Sequence, residues 1–200
     1  MKRILEVSGL VAGVAMVAIG IVAIVLGFSG RSTVIDSIKQ ERITGSADMT
    51  PLLIREAGKK AGLPDSVGYP NCTVAGKLVN NGERARCFAE YMRIHALEAT
   101  GGKVYSEMGR YLTADGKDTS DSEAAAKNPD TGRPVENGLR NLWVTETALA
   151  TALNTSYLAQ QISVFGIVVG AALLLSGIGF MILAWYTLGG ALLRRKSGAA

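Results

Sequence analysis

The residue types that could do chemistry are few, and their spacing limits what that chemistry is. The chain has one histidine, His95, and two cysteines, Cys72 and Cys87. Three-histidine zinc, two-histidine-one-carboxylate iron and the His-Glu-x-x-His motif all need at least two histidines, so His95 cannot build them. A zinc site of both cysteines with His95 would lack any Cys-x-x-Cys pair. Serine or cysteine hydrolysis would need His95 as base, and no Gly-x-Ser-x-Gly elbow is present. The acidic run Asp115, Asp118, Asp121, Glu123 is spaced by two or three and does not match the one-three-five ligand positions of a calcium loop. Gly101-Gly102-Lys103 lacks the upstream glycine and the hydroxyl of a phosphate loop. His95 therefore reads as a packed, hydrogen-bonded residue on a helix face, with a pH-sensing or general-base role as the alternative. No catalytic residue, cofactor or metal is expected.

The elements that must position these residues are dominated by two uncharged apolar runs, Val7 to Gly30 and Gln161 to Leu193. Each exceeds the ~20 helical residues needed to cross a hydrocarbon core of about 30 Å. The first is also longer than the ~7 to 15 apolar residues of a signal peptide, which favours a retained anchor. Lys2, Arg3, Arg194, Arg195 and Lys196 flank the runs, and with Glu6 they sum to the whole formal charge of +4. Basic residues beside a span are retained on the cytoplasmic side. The expected topology is a plasma-membrane protein with both termini cytoplasmic and residues 30–160 outside. The basic excess thus serves orientation and anionic lipid rather than nucleic acid. The expected divisions are a tail over 1–6, spans over 7–29 and 161–189, an extracytoplasmic region over 30–160 and a second tail over 190–200.

Inside the spans, no ionisable group marks an ion or proton path. Small residues recur instead. Gly9 and Gly13 form a Gly-x-x-x-Gly pair, Gly13, Gly20 and Gly27 repeat every seven, and Gly166 and Gly170 form a second pair followed by Gly177. Such residues let helix backbones approach closely in lipid. They could serve the chain's own hairpin, a second copy or the helix of a larger complex. Glycine's ordinary abundance in membrane helices is the bland alternative.

Between the spans, Val34, Ile35 and Ile38 continue the first helix past the apolar run. Thr50-Pro51 starts a helix reaching about Ala61, and Gly62 to Asn71 is loop. Glu83 to Ala99 is the best soluble helix, with Phe88, Tyr91, Met92, His95 and Ala99 at helical spacing and Gly101-Gly102 ending it. A short helix is expected within Lys103 to Leu112. Residues 114–138 read as a flexible polar loop. Asn141 would cap a last helix entering the second span, with Trp185 and Tyr186 near its far end, where aromatic rings prefer the interface. No strand is expected. Both cysteines fall outside the membrane, where an even pair reads as one disulfide worth roughly 3 kcal/mol; two unrelated buried thiols are the alternative. The expected fold is mainly α, a two-transmembrane-helix hairpin with a small helical extracytoplasmic cap.

Several stretches resemble a known family. Val74-Ala75-Gly76 through Ala89-Glu90-Tyr91 leads into His95-Ala96-Leu97-Glu98-Ala99-Thr100-Gly101-Gly102-Lys103. With Asn141 to Tyr157 and Glu41-Arg42-Ile43-Thr44, it is similar to uncharacterised two-span membrane proteins of actinobacteria, over most of the chain. The resemblance implies a bacterial plasma membrane, so the formal glycosylation tripeptides at Asn71 and Asn154 would be irrelevant. The family often bears the label "aromatic ring-opening dioxygenase". An extradiol dioxygenase holds iron with two histidines and a carboxylate, and this chain has one histidine. The cysteine pair and the 114–138 loop look like additions to shorter members.

The leading expectation is a non-enzymatic accessory or scaffold subunit of a cell-envelope or respiratory membrane complex, with lipids and other subunits or itself as partners. A sensor or ligand-binding cap is the runner-up, though tails of about six and seven residues leave no room for a signalling domain. An envelope enzyme using His95 is the weakest reading.

Overall fold

The structure is a computed structural model that describes the backbone of residues 2–197 and the side chains of residues 7–186. The chain is mainly helical, with two long apolar helices that could span a membrane and a small helical segment between them. The elements are α1 (Lys2–Gln40), α2 (Pro51–Lys60), α3 (Gly82–Ala99), a 3-10 turn (Tyr105–Glu107), β1 (Tyr111–Leu112), β2 (Asp118–Thr119) and α4 (Gly138–Ser197). They divide into two compact units, one of residues 1–34 with 159–200 and one of residues 35–158.

The first unit pairs α1 with the later part of α4. The described stretches Val7–Gln40 and Gly138–Tyr186 contain windows long and apolar enough to cross a membrane. Their outer faces carry large apolar side chains, Leu26 at 66 % and Phe165 at 69 % exposure among them. Left in water, such faces would forfeit roughly 25 cal/mol per Å² of apolar surface, which lipid restores.

The seam between the two helices follows a seven-residue period. A Cβ placed on Gly13 would lie 2.9 Å from the Gly177 carbonyl oxygen, on Gly20 2.7 Å from that of Gly170, and on Gly27 2.8 Å from that of Ser163. The partners Ser163, Gly170 and Gly177 are themselves seven apart, so two heptad rows of small residues run antiparallel against each other. A strict seven-residue repeat is the signature of a left-handed supercoil. Gly9 has nothing within 4 Å, and the nearest atom to a Cβ on Gly166 is the Ala23 carbonyl oxygen at 3.8 Å. The Gly-x-x-x-Gly partners Gly9 and Gly166 thus lie off the seam, and Ser163 joins it.

The second unit is built around α3. Thr50 caps α2, its hydroxyl accepting from the Leu53 amide, with Pro51 in the first turn. Asn81 caps α3 through its side-chain oxygen and the Arg84 amide. The core joins Ile54, Val74, Val79, Tyr91 and Ile94, all essentially fully buried. The buried face of α3 is centred on Ala85, Phe88, Tyr91, Ile94 and Leu97, whereas Ala99 is exposed and His95 is half-buried. The expected stripe is rotated toward His95 because the Phe88–Tyr91–His95 spacing fits a helix as well as the true face does.

Backbone pairing also departs from expectation. After α1, Arg42 adopts φ 50°, and residues 43–45 then run beside 74–79, with Val79 N–H donating to Ile43 and Gly45 N–H to Lys77. A Cβ on Gly45 would collide with the Val74 carbonyl, so glycine is required at this approach. The short helix expected within Lys103 to Leu112 is a single 3-10 turn, Tyr105–Glu107, and it is followed by β1 paired antiparallel with β2. The polar stretch 114–138 is held by backbone bonds: Leu112 donates to Val135, Ala126 to Leu112 and Val135 to Ala126. Strands of two residues leave no alternation for a sequence to display. Finally, α4 begins at Gly138, three residues before Asn141, and its cap is the buried Asn137, which accepts from the Leu139 amide and donates to the Gly109 carbonyl.

Candidate functional site

Cys72 and Cys87 are joined by a disulfide. It ties the loop after Pro70 to the second turn of α3, and the Tyr91 hydroxyl reinforces the tie by donating to the Cys72 carbonyl at 2.6 Å. Beside this bridge lies a cleft of about 740 Å³ lined by Tyr69, Asn71, Glu83, Arg86, Glu90 and Tyr157. A smaller cleft of about 270 Å³ adjoins it through Glu90, with Arg93, Glu146, Thr151 and Asn154 on its walls.

The clefts arise from one face of α3. Glu83, Arg86, Glu90 and Arg93 are spaced three, four and three residues apart and therefore form a single charged ladder. Opposite them, the early part of α4 offers Glu146, Thr147, Thr151, Asn154 and Tyr157. Each arginine reaches across to an aromatic ring of α4: Arg86 lies 5.0 Å from the Tyr157 ring centre and Arg93 5.5 Å from that of Trp143. Trp143 is itself buried, its indole N–H donating to the Lys103 carbonyl. Cation–π contacts hold guanidiniums against rings without using all their N–H donors.

Charges within the clefts are arranged unevenly. Arg86 Nε donates to Glu90 Oε1 at 3.3 Å. Tyr157 first, and Glu90 second, strengthen the charged form of Arg86. The other Glu90 oxygen, Oε2, faces Cys72 Sγ at 3.9 Å. A disulfide sulfur has no hydrogen to donate, so this contact satisfies nothing. Glu146 is only 5 % exposed, and burial pushes its carboxyl above the usual range while Arg93 pulls in the opposite direction.

His95 lies elsewhere, between two carboxylates. Its Nε2 is 3.4 Å from Asp48 and its Nδ1 3.1 Å from Glu98. Asp48 is held below the ordinary carboxylate range mainly by the Ser46 hydroxyl and also by His95. Glu98 Oε1 is buried and has no hydrogen-bond partner. Among the described residues no group of three or more histidine, cysteine or acidic side chains is arranged to hold a metal. The acidic run is occupied locally: Asp115 pairs with Lys117 and Asp118 accepts from the Gly109 amide.

No protein-family model, curated protein or solved structure matches the chain.

Of the residues singled out from sequence, the structure joins the two cysteines, places Gly13, Gly20, Gly27, Gly170 and Gly177 in one seam, and separates Gly9 and Gly166 from it. The side chains of Lys2, Arg3, Arg194, Arg195 and Lys196 lie outside the described residues. Sequence reasoning misses Arg86, Glu90, Arg93 and Glu146. On α3 their signal is present as alternating charge at three-four spacing, which on its own is the pattern of any solvated helix face.

Proposed function

We propose that this chain is a non-enzymatic two-pass plasma-membrane protein, an accessory or scaffold subunit of a cell-envelope or respiratory membrane complex. Both termini are cytoplasmic and residues 30–160 are extracytoplasmic in this reading. The observation that carries it is the heptad seam, in which small residues of α1 and α4 lock the two helices together and leave large apolar side chains outward. A hairpin closed on itself needs no second copy to hold its shape, and its outer faces suit lipid and partner helices. The basic flanks support the orientation, and the resemblance to two-span actinobacterial proteins supports a bacterial plasma membrane.

The test is gentle detergent extraction of a tagged copy at native expression level, with mass spectrometry of what accompanies it. Stoichiometric membrane subunits are the expected result; recovery alone, as monomer or homo-oligomer, would contradict the accessory role.

One observation favours a second reading, an extracytoplasmic binding module. The adjoining clefts along α3 carry exposed charge and aromatic rings on a disulfide-stapled wall. For the envelope-enzyme reading, His95 held between Asp48 and Glu98 supports packing rather than catalysis.

A further inference from the structure

From the cleft beside the disulfide we infer a binding site for a zwitterionic ligand of amino-acid or dipeptide size, its ammonium on Glu90 Oε2 and its carboxylate on Arg86. The inference rests on the binding-module reading.

Three observations lead to it. First, Glu90 is half used. Arg86 satisfies Oε1, whereas Oε2 points at a sulfur that is oxidised and cannot donate. The Glu90 side chain is 41 % exposed, so Oε2 is left to water, which an ammonium with its three donors can replace. Second, Arg86 is half used as well. Its Nε is engaged with Glu90, and the Tyr157 side chain takes both its face and a hydrogen bond, so the guanidinium is held in a fixed plane. A guanidinium carries five N–H donors, so terminal donors remain for a carboxylate.

Third, charge selects the ligand class. The ionisable lining of the larger cleft is Glu83, Glu90 and Arg86, one unit negative in sum. A simple anion meets net repulsion there. A simple cation gains Glu90 but meets Arg86, which already covers the Tyr157 ring. A zwitterion satisfies both signs at once. The two charged ends already touch, Arg86 Nε lying 3.3 Å from Glu90 Oε1, so a ligand whose own ammonium and carboxylate are close together can meet both. The volume of about 740 Å³ lies in the range of small-molecule sites.

The experiment uses the full chain in detergent micelles, with binding read by isothermal titration calorimetry. The probe is L-alanyl-L-alanine, compared with its N-acetylated and its C-amidated forms. Saturable binding with Kd of about 1 mM or tighter, weakened at least ~10-fold by either blocking group and by Glu90→Gln or Arg86→Gln, is expected. Far-UV circular dichroism checks folding of each variant. Where Arg86→Gln unfolds, Arg86→Lys, which loses the paired geometry and keeps the charge, carries the test.

Equal binding of the blocked dipeptides, or unchanged binding in the variants, would overturn the proposal. Spermidine and cellobiose separate the two levels of failure. Binding of either, lost in Glu90→Gln while the dipeptide does not bind, overturns the zwitterionic class and keeps the binding module. No response to any probe overturns both.

Discussion

Gly20 and Gly170 face each other so closely that a Cβ on either would sit 2.7 Å from the other's carbonyl oxygen. Real Cβ atoms do not approach carbonyls to that distance, so the two positions require glycine jointly. The same holds for Gly13 and Gly177, seven residues along each helix. In lipid the hydrophobic effect does not press helices together, and close backbone contact is the main source of attraction. The seam is therefore the energetic centre of the hairpin.

A pair of substitutions separates seam from surface. Gly20→Ile should destabilise the hairpin by about 1–3 kcal/mol, the usual cost of overpacking, whereas Gly9→Ile, in open space, should change stability by less than ~0.5 kcal/mol. Denaturant unfolding in micelles, followed by circular dichroism, measures both. Equal effects would mean that the seam does not run where Gly20 and Gly170 place it.

The disulfide closes a separation of 15 residues. In the chain-entropy argument such a loop contributes roughly 3 kcal/mol. The double variant Cys72→Ser, Cys87→Ser should lower the stability of the 35–158 unit by about that amount, and the Tyr91→Phe variant should cost a further ~1 kcal/mol through loss of its bond to the Cys72 carbonyl. Mass spectrometry of unreduced peptides from freshly isolated membranes should show the bridged pair; two free thiols would contradict it.

The depressed Asp48 carboxyl sets a pH dependence. A group whose acid form is disfavoured in the fold stabilises above its unfolded value and loses that contribution as pH falls through its folded value. Removing the largest cause with Ser46→Ala should bring the Asp48 titration back up toward ordinary carboxylates, as read by carboxyl NMR chemical shifts. An unchanged titration would show that the Ser46 hydroxyl is not what holds it.

Glu146 has the opposite sign. Burial raises its carboxyl, so the folded chain binds more protons than the unfolded one between the unfolded value of about 4.5 and the raised value. Stability from this group therefore falls as pH rises through that window. Glu146→Gln should remove the slope and raise the melting temperature at neutral pH. A lower melting temperature at neutral pH would instead assign net stabilisation to the Arg93 pairing.

Much of the architecture is legible in the order of residues alone. The uncharged runs, the Thr50-Pro51 start and the Gly101-Gly102 end are each dictated by local chemistry: water-free backbone bonding, an orphan amide, a left-handed turn. The Cys72–Cys87 pairing is anticipated by the even count of two cysteines. The rest depends on long-range partners. The heptad row is visible on α1 as Gly13, Gly20 and Gly27, but its α4 counterpart begins at Ser163, which a search for Gly-x-x-x-Gly passes over. The β1–β2 pair is too short to show alternation, and Asn137 and Asn141 are equally good caps until Gly109 is found beside one of them. The clefts are illegible because Glu90 becomes informative only once the disulfide is known to face its second oxygen.

The proposed topology, with residues 30–160 outside and both ends inside, is tested by cysteine accessibility in intact cells. Single cysteines at Lys2→Cys, Ser122→Cys and Gly198→Cys are exposed to an impermeant maleimide, with the native pair replaced by serine. Labelling at position 122 is expected, with protection at positions 2 and 198 until the membrane is opened. Labelling at either terminus in intact cells, or protection at 122, would overturn the two-pass topology.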